Sequence, residues 1–381
     1  MGNFAVQCYP LPFAQLRARI MKMTTGGAAK LDGGSSDEAD SQESLRERRI
    51  RTSTLYADVP PSKDPLIYSS KYNIGFMGME KLHPFDAGKW GHIQSYLVDE
   101  HVINARNIVE PREATAEDLL VVHSKEYLES LKQSYVVAGI IEVPPVALLP
   151  NFIVQSRVLQ PFRNQVGGTV LAGKVAKERG WAINLGGGFH HCCGGQGGGF
   201  CVYADITLCI QFAFTRLSFA RVMIIDLDAH QGNGHERDFV GDDRVYILDI
   251  YNSQIYPFDE EAKIRINQRV ELRNQTSSED YLRILDEQLQ IAKQAFKPDL
   301  IVYNAGTDIL DGDPLGQLRV TPAGVTSRDE KVFEFAKDAY ENPVPIVMVT
   351  SGGYMKSSAR VIADSIKNLV SKRLITVGAV V

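Results

Sequence analysis

Carboxylate and imidazole side chains recur at close spacing where apolar runs of the chain end. In the run 226–230, Asp226, Asp228 and His230 alternate with apolar residues. Side chains two residues apart lie on the same face of a strand, so these three groups emerge together. The carboxylates of such a cluster repel each other, and burying them is costly unless a cation compensates their charge. We therefore expect Asp228 and His230 to bind a divalent metal ion, with Asp308 from a neighbouring strand end as the third ligand.

Two adjacent histidines add acid–base chemistry to this set. Three nitrogen and oxygen ligands leave a coordination position for water, which is the pattern of catalytic zinc sites. A metal hydrolase also needs a base for that water and an acid for the leaving group, and His190 and His191 follow three glycines. Imidazole suits both tasks because its pKa lies near working pH. Each ring needs an orienting acceptor, and Asp226 and Asn233 are the available partners.

Tyr354 is the fourth candidate for chemistry. It follows Gly352-Gly353, which comes after the apolar run 345–350. A phenol on such a turn can donate a hydrogen bond to an oxyanion that forms opposite the metal. Gly-Gly-Tyr alone is usually an ordinary loop, so this assignment depends on the other clusters.

The elements that must position these clusters alternate between strands and helices. Continuously apolar runs predict strands that are buried on both faces. They cover 181–185, 221–227, 245–251, 300–304 and 345–350, after a short opening strand at Ile67-Tyr68. Helices are expected at roughly 115–134, 155–178, 205–219, 279–296, 327–340 and 357–371. This order predicts an α/β domain with a mainly parallel sheet, whose functional loops follow the carboxyl ends of the strands.

Composition excludes several classes of protein. The 381 residues hold 41 Lys+Arg against 46 Asp+Glu, a net charge of −5, and 44% are hydrophobic. There is enough apolar material for a core, and an acidic chain has no bulk attraction to DNA. Five cysteines without a Cys-x-x-Cys pattern predict neither a disulfide framework nor a structural zinc site. No stretch approaches the roughly 18 apolar residues of a membrane helix, so no membrane span is expected.

The N-terminal residues differ from the rest. Residues 32–54 are polar and of mixed charge, and burial cannot offset their ordering entropy. We expect residues 1–62 to be a disordered or weakly ordered extension and 63–381 to be one catalytic domain. Residues 1–31 are basic and free of acids, as in an organellar transit peptide, but they lack serine. The cluster 46–51 is compatible with a nuclear signal, although Glu47 favours a solvated tail. A location in the nucleus or cytoplasm is expected.

With these clusters in this order, the chain resembles the zinc-dependent histone deacetylase family. The resemblance spans about 65–375 and is carried by GGGFHHC at 186–192, IDLDAHQGNG at 225–234, NAGTDILDGDPLG at 304–316 and SGGY at 351–354. HPFDAGKWG at 83–91, Asn233 and HQGNGHERDF at 230–239 are most similar to the class IV branch, the histone deacetylase 11 type.

The resemblance implies a fold and a set of roles. The fold would be the arginase/deacetylase α/β fold, an eight-stranded mainly parallel sheet with helices on both faces. Zinc would be held by Asp228, His230 and Asp308. His191 would be the general base and then the acid, His190 would be an electrostatic partner held by Asp226, and Tyr354 would polarise the scissile carbonyl.

It also implies residues around the substrate and a second ion. The substrate channel would be lined by Gly199, Phe200, Tyr256, Leu315, Gly352 and Gly353. Potassium would be bound near Asp226, Asp228, His230, Asp249, Ile250 and Phe239. The expected cofactors are therefore Zn²⁺ and K⁺.

The expected activity is removal of acyl groups from the Nε of protein lysines. Acetyl and long fatty acyl groups are both open, and histones are candidate substrates, which would give a role in chromatin and transcription. The alternatives are an acetylpolyamine-type amidohydrolase and a weakly active metal-binding scaffold. An arginase-like two-metal enzyme is disfavoured because Gly232 and Gly306 stand where further acidic ligands would be needed.

Three positions depart from the family pattern. Asn233 stands where many members have Asp, so His191 loses a charged orienter and its basicity should fall. Lys125 takes the place of an Asp at the rim that grips substrate backbone, so peptide recognition is not carried over. Lys89 replaces an Arg near the internal cavity.

Overall fold

A parallel β-sheet runs through the part of the chain that the structure, a computed structural model, describes, residues 36–75 and 86–378. Its seven strands within these ranges are β1 (Leu66–Ile67), β2 (Trp181–Asn184), β3 (Val222–Asp226), β4 (Val245–Asn252), β5 (Gln268–Leu272), β6 (Leu300–Asn304) and β7 (Ile346–Val349). The spatial order is β1-β2-β7-β6-β3-β4-β5, and all neighbouring pairs are parallel. The five apolar runs predicted as strands are thereby confirmed, and their carboxyl ends share one edge.

The sheet differs from the eight strands expected by resemblance. At its β1 edge, Val109 makes only an isolated parallel bridge with Ile67, donating its N–H to Leu66 O and accepting one from Tyr68. The next hydrogen bond of that ladder would have to come from the nitrogen of residue 111, which is a proline without an N–H. Within the described ranges, pairing therefore stops at one bridge instead of forming a further strand.

The helices lie on both faces of the sheet, as expected. They are α1 (Ser36–Thr52), α2 (Lys89–Asp99), α3 (Ala116–Leu119), α4 (Lys125–Ser130), α5 (Ser134–Ile140), α6 (Asn151–Val154), α7 (Gln160–Arg179), α8 (Asp205–Leu217), α9 (Asn233–Asp238), α10 (Ser278–Ala295), α11 (Pro322–Asp338) and α12 (Ser358–Ser371). Val222 and Ile224 of β3 pack into one hydrophobic core with α7 and α8. Met223 and Ile225 pack into a second core with α2, α10, α11 and α12.

Some elements differ from the predicted ones. The single helix predicted at 115–134 is divided, because Ser124 caps a new helix by accepting a hydrogen bond from the N–H of Tyr127 at 3.1 Å. The edge strand β5 was not predicted, since its residues alternate in burial and lack a continuous apolar run. None of the helices in the described residues is long and apolar enough to cross a membrane.

The compact domain begins earlier than the expected boundary at residue 63. Arg46–Val381 forms one compact unit, and Ile50 and Leu55 are fully buried in its core. Tyr56 packs edge-on against Phe212 with ring centroids 5.7 Å apart. These apolar side chains are enough to fix residues 46–62 on the domain despite their polar surroundings. Residues 1–35, which include the transit-like segment, lie outside the described residues.

Replacing Leu55 with Ala should therefore destabilise the whole domain. Leu55 is 1% exposed, and truncation of a buried leucine costs about 2–5 kcal/mol through lost burial and a residual cavity. Urea unfolding measures this loss. The matched control is Leu45→Ala, at a leucine that is 43% exposed, which should change the free energy of unfolding by less than about 0.5 kcal/mol. Equal effects of the two substitutions would contradict the packing of this segment.

Candidate active site

Asp226, the last residue of β3, is the centre of the hydrogen-bond network. Its Oδ2 accepts from His190 Nδ1 at 2.9 Å and from His235 Nε2 at 2.8 Å. Its Oδ1 accepts from Asn304 Nδ2 at 2.9 Å and from the backbone N–H of Asp228 at 3.2 Å. Burial raises the pKa of Asp226, but the two imidazoles outweigh burial and hold it well below the usual value. This carboxylate is therefore ionised and fully satisfied.

The three predicted metal ligands lie together directly beyond this strand end. Asp228, His230 and Asp308 are buried, and their ligand atoms all lie within 4.8 Å of one another. His230 Nδ1 is 3.1 Å from Asp228 Oδ1 and 2.9 Å from Asp308 Oδ2. Burial and the Asp228 carboxylate raise the pKa of Asp308 to about 7, so the cluster demands a positive charge. Two carboxylates and one imidazole form a donor set that fits zinc.

Backbone N–H groups and one serine hydroxyl donate hydrogen bonds to this cluster. Ser351 Oγ and the Gly352 N–H each donate to Asp228 Oδ2 at 3.0 Å, and the N–H of Ala229 donates to Asp308 Oδ1 at 2.9 Å. A Cβ at Gly352 would come within 2.4 Å of carboxylate oxygens of both Asp228 and Asp308. Only glycine fits there, so the main chain itself forms the wall of the site.

A second group of residues could also approach a metal ion. His190, Asp226 and His235 offer ligand atoms within 4.8 Å of one another. Here Asp226 Oδ2 already accepts hydrogen bonds from both rings. This group is a hydrogen-bond relay rather than an open donor set.

The two adjacent histidines are in opposite electrostatic environments. Burial lowers the pKa of His190, but Asp226 and Asp228 outweigh it and raise that pKa to about 9. Burial, with the neighbouring His190 and His230, lowers the pKa of His191 well below its usual value. His191 Nδ1 lies 2.9 Å from Asn233 Oδ1. His190 is therefore the cationic ring and His191 the neutral ring, a division suited to a base with an adjacent positive charge.

Tyr354 lies close to His230, one of the predicted metal ligands. Its ring centroid is 6.3 Å from that of His230 and 5.8 Å from that of Phe200. Burial and the Asp308 and Asp228 carboxylates raise the pKa of its phenol well above the usual value, so the phenol stays protonated and can donate. Its N–H is fixed by Asp313 Oδ2 at 2.8 Å.

One cavity is lined by half of the residues predicted for the channel. Gly199, Phe200 and Gly352 line it together with His190, His191, Asp228 and Tyr354. Tyr256, Leu315 and Gly353 are not among its lining residues, although the Tyr256 ring lies 4.9 Å from that of His191. Sequence reasoning missed an apolar wall formed by Ile74, Ala87, Trp90, Ile141, Val143, Val146, Val158 and Phe162. None of these follows a glycine-rich strand end, which was the signal used.

The residues named for potassium also lie in one buried region. Asp249, Ile250 and Phe239 are each 0% exposed, and Asp249 Oδ2 accepts the N–H of Gly232 at 2.9 Å. Among the described residues, Asp249 Oδ1 and Glu236 Oε1 receive no hydrogen bond. Burial and neighbouring carboxylates raise the pKa of Asp249 well above its usual value. The two carboxyl groups also interact with each other, so either a shared proton or a monovalent cation would compensate them.

Two buried cations lie beneath the ligand loops. Arg328 of α11 is 0% exposed and donates to Leu227 O at 3.3 Å and to Gly306 O. Leu227 directly precedes Asp228, and Gly306 lies two residues before Asp308. Lys89 of α2 donates to Gly352 O at 3.0 Å and to Ser351 O. Burial lowers the pKa of Lys89 to about 8 against the opposing carboxylates. Sequence reasoning missed Arg328, because a charged residue in a helix usually faces solvent.

Arg328→Met should loosen the ligand loops and destabilise the protein. It leaves Asp329, whose carboxylate lies 2.8 Å from Arg328 Nη2, buried without its partner, which costs about 3–5 kcal/mol. Zinc affinity of the folded fraction should fall by about 10- to 100-fold, since these contacts orient the ligands. Urea unfolding and zinc titration measure both effects.

Lys331→Met is the control for Arg328→Met on the same helix. Its ion pair with Asp286 at 2.8 Å is partly exposed and contributes less than about 1 kcal/mol. If both variants unfolded alike and bound zinc alike, the role given to Arg328 would be wrong.

Comparison with known proteins agrees with this geometry. The histone deacetylase domain family matches residues 83–370. The chain is 63% identical to histone deacetylase 2 of Arabidopsis thaliana over 333 residues, covering 87% of this chain and 85% of that protein. It is 28% identical to acetoin utilization protein AcuC of Staphylococcus aureus, covering 77% of each chain. The crystal structure of the HDA15 HD domain has the same fold, with a TM-score of 0.64 at 21% identity over 82% of this chain and 89% of that one. The chain therefore belongs to the histone deacetylase family, and it is a deacetylase-type hydrolase.

Proposed function

We propose that the protein is a zinc-dependent Nε-acyl-lysine deacylase of the class IV branch. The observation that carries this proposal is the Asp228, His230 and Asp308 cluster, which lies beside the neutral His191 and the protonated Tyr354. A base, an oxyanion donor and a metal-ligand set around one site are the parts that amide hydrolysis requires.

The metal ion is assigned to the three clustered ligands. When bound by Asp228, His230 and Asp308, zinc supplies a Lewis acid for the amide carbonyl and lowers the pKa of the attacking water. A single metal is supported by Gly232, where a Cβ would come within 2.5 Å of Asp226 Oδ2 and 2.1 Å of His235 Nε2. An acidic ligand for a second ion does not fit at that position. Potassium is assigned to the region of Asp249.

The protein side chains carry the proton transfers. His191 takes the proton from water and gives it to the departing lysine amine, since its ring is neutral before the reaction. The cationic His190, held by Asp226, adds a positive charge beside the developing oxyanion. Tyr354 donates its phenol proton in a hydrogen bond to the same oxyanion. The products are a free lysine side chain and a carboxylate.

Long acyl chains are proposed as substrates beside acetyl. The support is the apolar cavity wall formed by residues of the segment 141–162, among them Val143, Val146 and Phe162. An acetyl group would leave much of this wall without contact. Each methylene buried there contributes about 0.8 kcal/mol, which favours a longer chain.

Class IV membership is supported by the pattern around the base. Asn233 pairs with His191, and Lys89 occupies the buried place below the Gly352 turn. Residues 83–85 of the HPFDAGKWG motif lie outside the described residues. Acyl-lysine proteins, histones among them, are the proposed substrates, with a role in chromatin and transcription and a location in the nucleus or cytoplasm.

Tyr354→Phe should reduce kcat on acetyl-lysine and myristoyl-lysine peptides by about 10²- to 10³-fold, because one oxyanion donor is lost. Zinc content and thermal stability should not change. The assay uses the zinc-loaded protein, with an acetylpolyamine as a third substrate. Tyr135→Phe, at a tyrosine that is 61% exposed, is the control and should keep full activity.

The same assay separates the competing functions. Turnover confined to the acetylpolyamine would support the polyamine hydrolase alternative. No turnover by zinc-loaded wild-type protein on any of these substrates would refute the enzyme proposal and favour the scaffold.

Val143→Phe should select against the long acyl chain. Val143 lines the cavity and is half-buried, so a larger ring there displaces two or three methylenes of the substrate. At about 0.8 kcal/mol each, this lowers kcat/KM for myristoyl-lysine by about 10-fold or more. Acetyl-lysine should change by less than about 3-fold. Leu148→Phe, at a leucine that is 89% exposed, is the control, and equal losses on both peptides would contradict the assigned wall.

A further inference from the structure

The amide of Asn233 lies between His191 and the carboxylate of Asp259, a residue that the family resemblance does not include in the site. Asn233 Oδ1 lies 2.9 Å from His191 Nδ1, and Asn233 Nδ2 donates to Asp259 Oδ2 at 3.0 Å. Asp259 comes from the loop between β4 and β5. The base is therefore connected through one amide to a negative charge on another element.

The hydrogen bonds of Asp259 keep it ionised. Arg237 of α9 donates from Nη2 to Asp259 Oδ1 at 2.6 Å and from Nε to Oδ2 at 2.8 Å. Burial raises the pKa of Asp259, but hydrogen bonds from Arg237 and Asn233 outweigh burial and hold it below the usual value. An ionised carboxylate only accepts hydrogen bonds.

This fixes the orientation of the amide and the tautomer of the ring. Because Asp259 accepts, Asn233 must direct its NH₂ group to Asp259 and its oxygen to His191. His191 Nδ1 then carries the proton, and Nε2 keeps the lone pair that a general base requires. The reversed amide would place its oxygen against the Asp259 carboxylate and its NH₂ against the Nδ1 proton.

The same loop holds His191 at a second point. The ring of Tyr256 packs edge-on against the ring of His191, with centroids 4.9 Å apart and an interplanar angle of 80°. Tyr256 and Asp259 are three residues apart in this loop. The β4–β5 loop thus limits both the position of the ring and the choice of protonated nitrogen.

We propose that Asp259 is a positioning residue that sets the tautomer of His191 through Asn233. The inference rests on the proposed function of His191 as the general base. It makes residues 233 and 259 a matched pair, in which one side chain is an amide and the other a carboxylate. An Asp at 233 beside Asp259 would set two carboxylates about 3.0 Å apart, at the distance now spanned by a hydrogen bond.

The test is a swap of the two residues in the zinc-loaded full chain. In Asp259→Asn, a new amide oxygen at the place of Oδ1 keeps the short hydrogen bond from Arg237 Nη2 and the N–H of Ala262 at 3.3 Å, so the new NH₂ group faces Asn233 and favours the reversed amide. We expect kcat on the better acyl-lysine peptide to fall by about 10- to 100-fold with KM changed less than about 3-fold. Asn233→Asp should lose activity as well, because of the paired carboxylates.

The double variant Asn233→Asp/Asp259→Asn restores one amide and one carboxylate with the donor direction reversed. We expect it to recover kcat to within about 5-fold of wild type, a rescue that a merely structural role for Asp259 does not produce. Glu261→Gln is the control, since Glu261 is exposed and pairs with Arg237 at 3.5 Å without contacting Asn233. It should retain wild-type kcat.

Nitrogen-15 NMR of labelled histidine reads the tautomer independently of turnover. Wild type and the double variant should show protonated Nδ1 at His191, and Asp259→Asn should show a shift toward protonated Nε2. A wild-type tautomer and wild-type kcat in Asp259→Asn would overturn the inference, as would a folded, zinc-bound double variant no more active than the single ones. If wild type itself fails to turn over any acyl-lysine peptide, the proposed function fails, while the NMR result still decides the inference.

Discussion

The structure depends on the burial of several carboxyl groups at the carboxyl edge of one parallel sheet. Register pairs Asp226 of β3 with Asp249 of β4 and with Asn304 of β6, so acids that are distant in sequence meet. Asp228 and Asp308 follow within a few residues, and all four acids are at most 1% exposed. An uncompensated buried ion costs several kcal/mol, so this edge is stable only where positive or donating groups surround it.

The groups that surround these carboxyl groups give two adjacent histidines different charge states. His190 bonds the ionised Asp226 and takes a positive charge, with its pKa raised to about 9. His191, one residue on, bonds the neutral amide of Asn233, and burial together with the neighbouring His190 and His230 keeps it uncharged. The division between a cationic and a neutral ring follows from which side chain meets each ring, not from any difference between the rings.

Patterns in the sequence predict the parts of this arrangement that follow from strand ends. Asp226 and Asp308 could be found because continuous apolar runs mark buried parallel strands whose ends converge. Arg328 could not, since its burial depends on which side of α11 meets the loops, and an isolated charge in a helix carries no such signal. The weak β1 edge depends on Pro111 lying opposite a ladder position, and the packing of Ile50 depends on tertiary contacts.

The turn at Ser351-Gly352 connects the buried carboxyl groups to Tyr354, which would donate a hydrogen bond to the substrate. Its N–H and hydroxyl groups donate to Asp228, and its carbonyls accept from the buried Lys89 on the other side. The turn is thus held between an anion and a cation, and a Cβ at Gly352 would collide with the ligand carboxylates. Tyr354 follows two residues later, and its own N–H is held by Asp313 Oδ2 at 2.8 Å. Asp228, one of the proposed metal ligands, therefore also helps to place Tyr354, the proposed oxyanion donor.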